Sequence, residues 1–273
     1  MTKTAVIGTG YWGKNLARVF YSLAESELVW LCDSRRESLE AVGRGCPGAG
    51  LTTDYREVLD DDRVEAVVIA TPAPSHYELA REALLAGKHI FVEKPLTLEV
   101  GHAEELVELA KKTGRLLFTG HLLIYHPAVD MLKSMVESDE LGGVNYIYAQ
   151  RVNLGVVRSD ENALWSLAPH DISIVLHLLG RKPMEVSARG GSYIRQGIED
   201  VVFMVMRFDS GEMAHVQLSW LDPHKERKIT VVGNRKMVVF DDMQAVEKIK
   251  VFNKGPGPAG EYSSYTELLA LRE

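Results

Sequence analysis

The stretch Thr4-Ala5-Val6-Ile7-Gly8-Thr9-Gly10-Tyr11-Trp12-Gly13 decides the fold. Its first four residues read as a short strand that ends at Gly8. Beyond Gly13, the apolar residues Leu16, Val19, Phe20 and Leu23 recur at helical spacing. A Gly-x-Gly-x-x-Gly turn between a strand and a helix is the context in which this pattern binds a dinucleotide. Gly8 permits the tight turn, Gly10 lets the backbone approach a pyrophosphate, and Gly13 lets the helix pack close to the strand. The helix N-terminus then offers N–H groups and a positive dipole end to the phosphates. Gly8, Thr9, Gly10, Tyr11, Trp12 and Gly13 are the expected cofactor-binding loop.

Working outward, the same alternation continues. Glu27 to Cys32 reads as a second strand ending at Asp33, and residues 35–44 as a helix broken by Gly43, Gly45 and Pro47. Asp54 is placed to cap a short helix that runs to Leu59. Ala66-Val67-Val68-Ile69-Ala70 is a continuous apolar run, as a strand covered on both faces reads. Ser75 to Ala86 is helical and stops at Gly87, His89 to Val92 is a strand, 99–113 a helix stopped by Gly114, and Leu116 to Thr119 a last strand. Repeated βα units predict an α/β, Rossmann-type, doubly wound parallel sheet over residues 1–121, the dinucleotide-binding domain.

Residues 122–273 read differently. Strand signals cluster at 144–152, 184–194, 200–208, 212–220, 227–233 and 236–241, with one helix at about 169–179. This predicts an α+β domain with a mostly antiparallel open sheet, its free face an interface for a homodimer or homotetramer, and a role in substrate binding. Lys254 to Gly260 has linker composition, and Tyr265 to Arg272 reads as a helix cut off in mid-pattern. A chain incomplete at its C-terminus is the expectation from that pattern.

The bulk numbers agree with a globular protein. The 273 residues are 46% hydrophobic and 25% charged. A net charge of -7 argues against a nucleic-acid surface. Cys32 and Cys46 are the two cysteines, too few for a disulfide framework, and no His, Cys or Asp/Glu spacing matches a metal motif, so no metal is expected. No segment reaches the roughly 18 apolar residues of a membrane span. The strand at the N-terminus leaves no room for a signal peptide. A cytoplasmic location without membrane contact is expected.

Asp33 lies twenty residues beyond Gly13, at the end of the second strand. A carboxylate there accepts from both ribose hydroxyls and repels a 2′-phosphate, which favours NAD over NADP. Arg35 and Arg36 pull the other way, since either can pair with a phosphate. Thr71, Pro72 and Pro74 close the Ala66–Ala70 run where loops cross the nucleotide, or simply form a proline-dictated turn. Glu93-Lys94-Pro95 follows His89-Ile90-Phe91-Val92 and places an amine at the sheet edge where ligands bind. Lys94 there can stabilise charge on a reacting oxygen, with Glu93 orienting it. Both also read as ordinary charges at a strand end.

The chain resembles the glucose–fructose oxidoreductase, inositol dehydrogenase and MocA (Gfo/Idh/MocA) family. The resemblance rests on the glycine motif, on Ala70-Thr71-Pro72 followed by His76, on Glu93-Lys94-Pro95, and on Pro169-His170-Asp171 before Leu178-Leu179-Gly180. It covers nearly the whole chain. It implies a two-domain fold, a nicotinamide cofactor also touched by His76 and Glu93, and a sugar or polyol substrate. The segments Gly120–Pro127 and Asn153–Ile172 are similar to the UDP-N-acetylglucosamine 3-dehydrogenase branch, which implies a nucleotide-linked amino sugar. Relatives often carry an aspartate four residues before the histidine; Ser166 stands there. Relatives also run some tens of residues longer.

The chemistry expected from this resemblance is oxidation of a secondary CH–OH, the hydride passing to the nicotinamide. A cationic nicotinamide nearby favours a neutral Lys94 amine, able to act as base. His170, read as following Pro169 at a helix start and lying off the apolar stripe Ile172-Val175-Leu176-Leu179, is the second proton-handling residue. Asp171 suits a first helical turn through the dipole, or else it or Ser166, both candidate substrate contacts, stands in for the missing aspartate. Asn153 and Arg158 complete the expected substrate contacts, Arg158 suiting a diphosphate or serving only as a loop charge. The alternatives are a free polyol, inositol or monosaccharide dehydrogenase, and a catalytically silent NAD-binding regulator with the same fold.

Overall fold

The computed structural model describes residues 1–155, 157–159 and 161–255. The linker and helix expected over 256–273 lie outside the described residues. The chain divides at His121/Leu122 into two compact units.

The first unit carries strands β1 (Thr2–Ile7), β2 (Ser26–Cys32), β3 (Gly50–Thr52), β4 (Ala66–Ile69), β5 (His89–Val92) and β6 (Leu117–Thr119). Between them run helices α1 (Gly13–Ser22), α2 (Arg36–Gly43), α3 (Tyr55–Asp60), α4 (His76–Leu85) and α5 (Val100–Thr113). The strands form one sheet in the order β3-β2-β1-β4-β5-β6, with every pair parallel. The chain order reverses between β1 and β4, the place where such sheets bind ligands at their C-terminal edge.

Strand period two explains why both faces are filled. Ala5, Ile7, Val67 and Ile69 pack into one buried cluster with Leu79, Leu84 and Leu106, while Val6 and Val68 pack into another with Leu16, Leu31 and Leu39. Asp54 caps α3, its side chain accepting from Arg56 N, and Gly114 stops α5 at φ 66°. The three-residue β3 escaped the sequence reading because it is too short to show a period.

The second unit has α6 (Pro127–Glu137) and α7 (Ala163–Leu179) against strands β7 (Val144–Leu154), β8 (Glu185–Gly191), β9 (Val201–Arg207), β10 (Met213–Ser219), β11 (Leu221–Gly233), β12 (Met237–Asp241) and β13 (Ile249–Phe252). The sheet order is β13-β12-β11-β7-β10-β9-β8, antiparallel throughout except for the β7–β10 pair. Leu132 of α6, Ile174 and Leu178 of α7, and Ile147, Met204, Val216 and Val231 of the sheet form its core. Helix α6 and strand β13 add to the elements expected.

Helix α7 corrects the reading of its own start. It begins at Ala163, with the Asn162 side chain accepting from Trp165 N at 3.1 Å. Pro169 lies inside the helix. Proline favours a first helical position, and the sequence reading placed the helix start there, while the Asn162 cap is seen only in the fold. His170 and Asp171 therefore sit in mid-helix, and Asp171 has no first-turn dipole role.

Candidate active site

The glycine loop joins β1 to α1. Gly8 has φ 94°, and a Cβ on it would meet Ala70 C and O at 2.7 Å. A Cβ on Gly13 would lie 1.8 Å from Gly8 O. Both glycines are required by the fold. Gly10 is not: a Cβ there meets nothing closer than the Arg35 guanidinium, at 3.5 Å. The cradle at Gly10 is open toward a ligand rather than filled by the protein. No side chain caps the start of α1, whose Lys14 and Asn15 N–H groups donate to Gly10 O and Trp12 O of the loop, so the positive end of the helix dipole lies at the loop. These features fit a dinucleotide pyrophosphate.

Asp33, at the end of β2, binds back to this loop. Its Oδ2 accepts from Thr9 N (2.7 Å) and Thr9 Oγ1 (3.0 Å), and its Oδ1 from Arg35 N (2.9 Å). Burial pushes its carboxyl up, but the Arg35 and Thr9 N–H groups outweigh burial and hold it below the ordinary value. Three of the about four acceptor positions of the Asp33 carboxylate are thus taken within the protein. Arg35 lies beside it, Nε 3.6 Å from Oδ1 and mostly exposed.

Thr71 and Pro72 follow β4, and Ser75 Oγ donates to Thr71 Oγ1 at 2.7 Å. His76 is not a ligand-facing residue, contrary to the expectation. It is 1% exposed, with Nδ1 2.7 Å from Pro95 O and Nε2 2.8 Å from Thr71 O. It ties the Thr71 loop to the loop after β5 and shows both nitrogens to the backbone.

Glu93 and Lys94 leave the end of β5. Glu93 Oε1 accepts from Trp12 Nε1 at 2.8 Å, and Oε2 from Lys94 N at 3.2 Å. Trp12 thus reaches from the glycine loop to the tripeptide, a link that needs the fold to be seen. Burial raises the Glu93 carboxyl above its ordinary value, against the opposing pull of Trp12, the Lys94 N–H and the Lys94 charge. The Lys94–Pro95 bond is cis. A Cβ on Gly120, just past β6, would lie 3.1 Å from Glu93 Oε1. The loop residues, Asp33, Thr71, Glu93 and Lys94 therefore gather at the C-terminal ends of adjacent strands in one unit.

In the second unit, Ser166 and His170 are one turn apart on α7, and Ser166 is buried. Asp171 is 1% exposed and held bidentately by Arg151 of β7, Nε to Oδ2 at 2.6 Å and Nη2 to Oδ1 at 3.0 Å. Its carboxylate is committed to the fold, so Asp171 takes neither the ligand-binding nor the substitute-aspartate role. Arg151 was missed because strand alternation alone does not say which inward residue is charged for a partner. Asn153 stands near the end of β7, and Arg158 pairs with Glu161 at 2.7 Å.

Residues 2–121 match an oxidoreductase family with an NAD-binding Rossmann fold (GFO/IDH/MocA), and residues 129–239 match the GFO/IDH/MocA C-terminal domain. The chain belongs to this family. It is an NAD-binding oxidoreductase. A candidate oxidoreductase of Magnetospirillum magnetotacticum MS-1 has a solved structure that superposes with a TM-score of 0.84 at 33% identity, covering 96% of this chain and 83% of that one. The scyllo-inositol 2-dehydrogenase (NAD(+)) of Bacillus subtilis is 29% identical over 89% of this chain and 74% of its own length. The UDP-N-acetylglucosamine 3-dehydrogenase of Acidithiobacillus ferrooxidans is 26% identical over 93% of this chain and 78% of its own. No helix among the described residues is long and apolar enough to cross a membrane.

Proposed function

We propose that this family member oxidises a secondary hydroxyl of a sugar, and that its substrate is a nucleotide-linked amino sugar. The observation that carries the reading is the placement of Lys94 directly after β5, at the same sheet edge as the open Gly10 cradle, with Glu93 bonded to both Trp12 and the Lys94 backbone. NAD, when bound, supplies the hydride acceptor. The chain's own part is to hold the hydroxyl and take its proton. Lys94 is assigned to the reacting oxygen and His170 to the proton work with it, and Asn153, Arg158 and Ser166 to substrate binding. The second unit is assigned to substrate binding and to self-association in a cytoplasmic homodimer or homotetramer.

The nucleotide-sugar choice is supported by the Acidithiobacillus relative, named a UDP-N-acetylglucosamine 3-dehydrogenase. A second reading, a free inositol dehydrogenase, is supported by the slightly higher identity to the Bacillus inositol enzyme. NADH absorbance with UDP-N-acetylglucosamine, scyllo-inositol and myo-inositol separates them. Turnover on the inositols alone overturns the first reading. Tight NAD binding with no turnover on any sugar points instead to a silent regulator. Lys94→Ala is expected to lower kcat at least about a thousandfold, on the order of 4 kcal/mol, while NAD binding by fluorescence stays within about threefold. Retained turnover removes Lys94 from the mechanism.

A further inference from the structure

Three strand-end segments of the first unit meet at the Glu93 carboxylate. From the glycine loop after β1, Trp12 Nε1 donates to its Oε1 at 2.8 Å. At the end of β5, Lys94 N donates to its Oε2 at 3.2 Å. After β6, Gly120 lies against it: a Cβ there would stand 3.1 Å from Oε1, 3.2 Å from Cδ and 3.3 Å from Oε2. Gly120 is itself held, its N donating to Val92 O at 2.7 Å. The carboxylate thus gives one oxygen to the glycine loop and the other to Lys94, with bare backbone along its side.

We infer that Trp12 is a positioning residue: its indole N–H holds the Glu93 carboxylate and, through it, the Lys94 backbone, so that the loop that takes the pyrophosphate and the residue that meets the reacting oxygen share one tie. The inference rests on the reading of Lys94 as the residue that serves the reacting oxygen. It gives the indole a role other than the direct cofactor contact expected from the glycine motif. Trp12 is 43% exposed, so its ring does not fill a core. Its single donor is committed to a carboxylate, and hydrogen bonds to ionised acceptors are the strong ones.

The electrostatics of Glu93 agree with this geometry. Burial raises its carboxyl, and of the groups that oppose burial the Trp12 N–H comes first, ahead of the Lys94 N–H and the Lys94 charge. Without the indole donor, the partly buried carboxylate is held by one N–H fewer, and nothing from the glycine loop fixes its side chain. The Lys94 N–H then loses a fixed acceptor, and the amine at the end of that residue loses a fixed origin. A displacement of about 1 Å at reacting atoms costs on the order of a hundredfold in rate.

A double-mutant cycle on the full chain tests it, with the sugar that the wild type oxidises. Trp12→Phe keeps an aromatic ring and removes the N–H; Trp12→Leu serves if that variant does not fold. Glu93→Gln keeps an oxygen for Trp12 Nε1 but turns an amide NH2 toward Lys94 N, which cuts the second half of the tie. Each single variant is expected to lower kcat about tenfold or more, with the NAD dissociation constant within about threefold of wild type. The double variant is expected to match Glu93→Gln alone within about twofold, because Trp12 acts through Glu93. A further readout needs no turnover. In the cofactor-free protein, Trp12→Phe is expected to raise the midpoint of the Glu93 carboxyl, followed by 13C NMR and assigned by its loss in Glu93→Gln. A ring that served only packing would leave this midpoint in place. Weaker NAD binding with kcat unchanged makes Trp12 a direct cofactor contact and overturns the inference. So do additive losses in the double variant, or a Glu93 midpoint unmoved by Trp12→Phe. If Lys94→Ala retains turnover, the reading beneath the inference falls; if Lys94→Ala is inactive and Trp12→Phe is fully active, the inference falls alone.

Discussion

In the first unit the candidate groups stand at the C-terminal ends of parallel strands, whereas in the second Ser166 and His170 stand on successive turns of one helix. The strand-end groups are tied to one another: Asp33 to Thr9, Glu93 to Trp12, Gly120 to Val92. Each tie joins loops that follow different strands, so the sheet itself sets the geometry of the site. The helix-borne groups depend on how α7 is seated on its sheet. Beyond apolar packing, a buried ion pair one residue from His170 seats it, together with Ala163 N donating to Glu199 O at its start and Lys133 Nζ donating to Leu178 O near its end. The first unit locates chemistry through ties between strand ends and the second through the seating of one helix, and the two should fail in different ways.

The largest effect is expected where the second unit is anchored. Arg151 and Asp171 are 8% and 1% exposed. Removing one partner strands the other charge in a dry core, so Asp171→Asn should destabilise by about 3–5 kcal/mol. Replacing both, as Arg151→Met with Asp171→Leu, should recover most of that loss, because an apolar pair of similar volume carries no desolvation penalty. Urea unfolding of the singles and the double measures this. A single variant as stable as wild type would show that the pair does not anchor α7, and the contrast between the units would lapse.

A smaller effect separates function from fold inside the first unit. Gly8 and Gly13 are demanded by the backbone around them, since a Cβ at either meets main-chain atoms far inside contact distance. Gly10 is demanded only by a ligand. Gly10→Ala should leave thermal stability nearly unchanged yet weaken NAD binding by about tenfold or more, roughly 1.4 kcal/mol. Calorimetry and NAD titration on one preparation decide it. Equal affinity would mean that the pyrophosphate does not approach this backbone.

The same asymmetry explains what was legible in the sequence. The first unit could be read strand by strand because its βα repeats carry punctuation: Gly8, Gly87 and Gly114 mark turns and helix ends, and Ala66–Ile69 shows a doubly covered strand. Boundaries such as His89–Val92 needed no structure. The glycine loop, Asp33 and Lys94 could be named because their chemistry is bound to strand ends. Pairings across the fold could not. His76 was a cofactor contact only by family resemblance, and its two backbone partners, Pro95 O and Thr71 O, are brought together only by folding. Asp171 looked like a helix-start residue because Pro169 mimics one, and its partner Arg151 is twenty positions away on a strand. Glu93 and Trp12 are 81 positions apart. Contacts of that kind follow from register and sheet order, which local periodicity does not contain.

The least stability change is expected at the face of the second sheet that α6 and α7 leave open. Register places Tyr146, Met213, Arg207 and Glu185 in one row across β7, β10, β9 and β8, and Gln150, Gln217, Phe203 and Arg189 in another. Tyr146, Met213 and Phe203 are each nearly half exposed, while their strand neighbours Ile147, Ala214 and Val202 are buried in the core. The first unit has no such face, since both sides of its sheet are covered. If a second copy covers this surface, a charge at its centre should break the assembly without disturbing the fold. Phe203→Glu points away from the core, so its effect on unfolding of the isolated protomer should stay within about 0.5 kcal/mol. Sedimentation velocity should show wild type as a dimer or tetramer and the variant shifted toward the monomer at the same concentration. A wild-type protein that sediments as a monomer would sink the assignment of this face to self-association. An oligomer indifferent to Phe203→Glu would place the contact on another surface and leave this one to solvent.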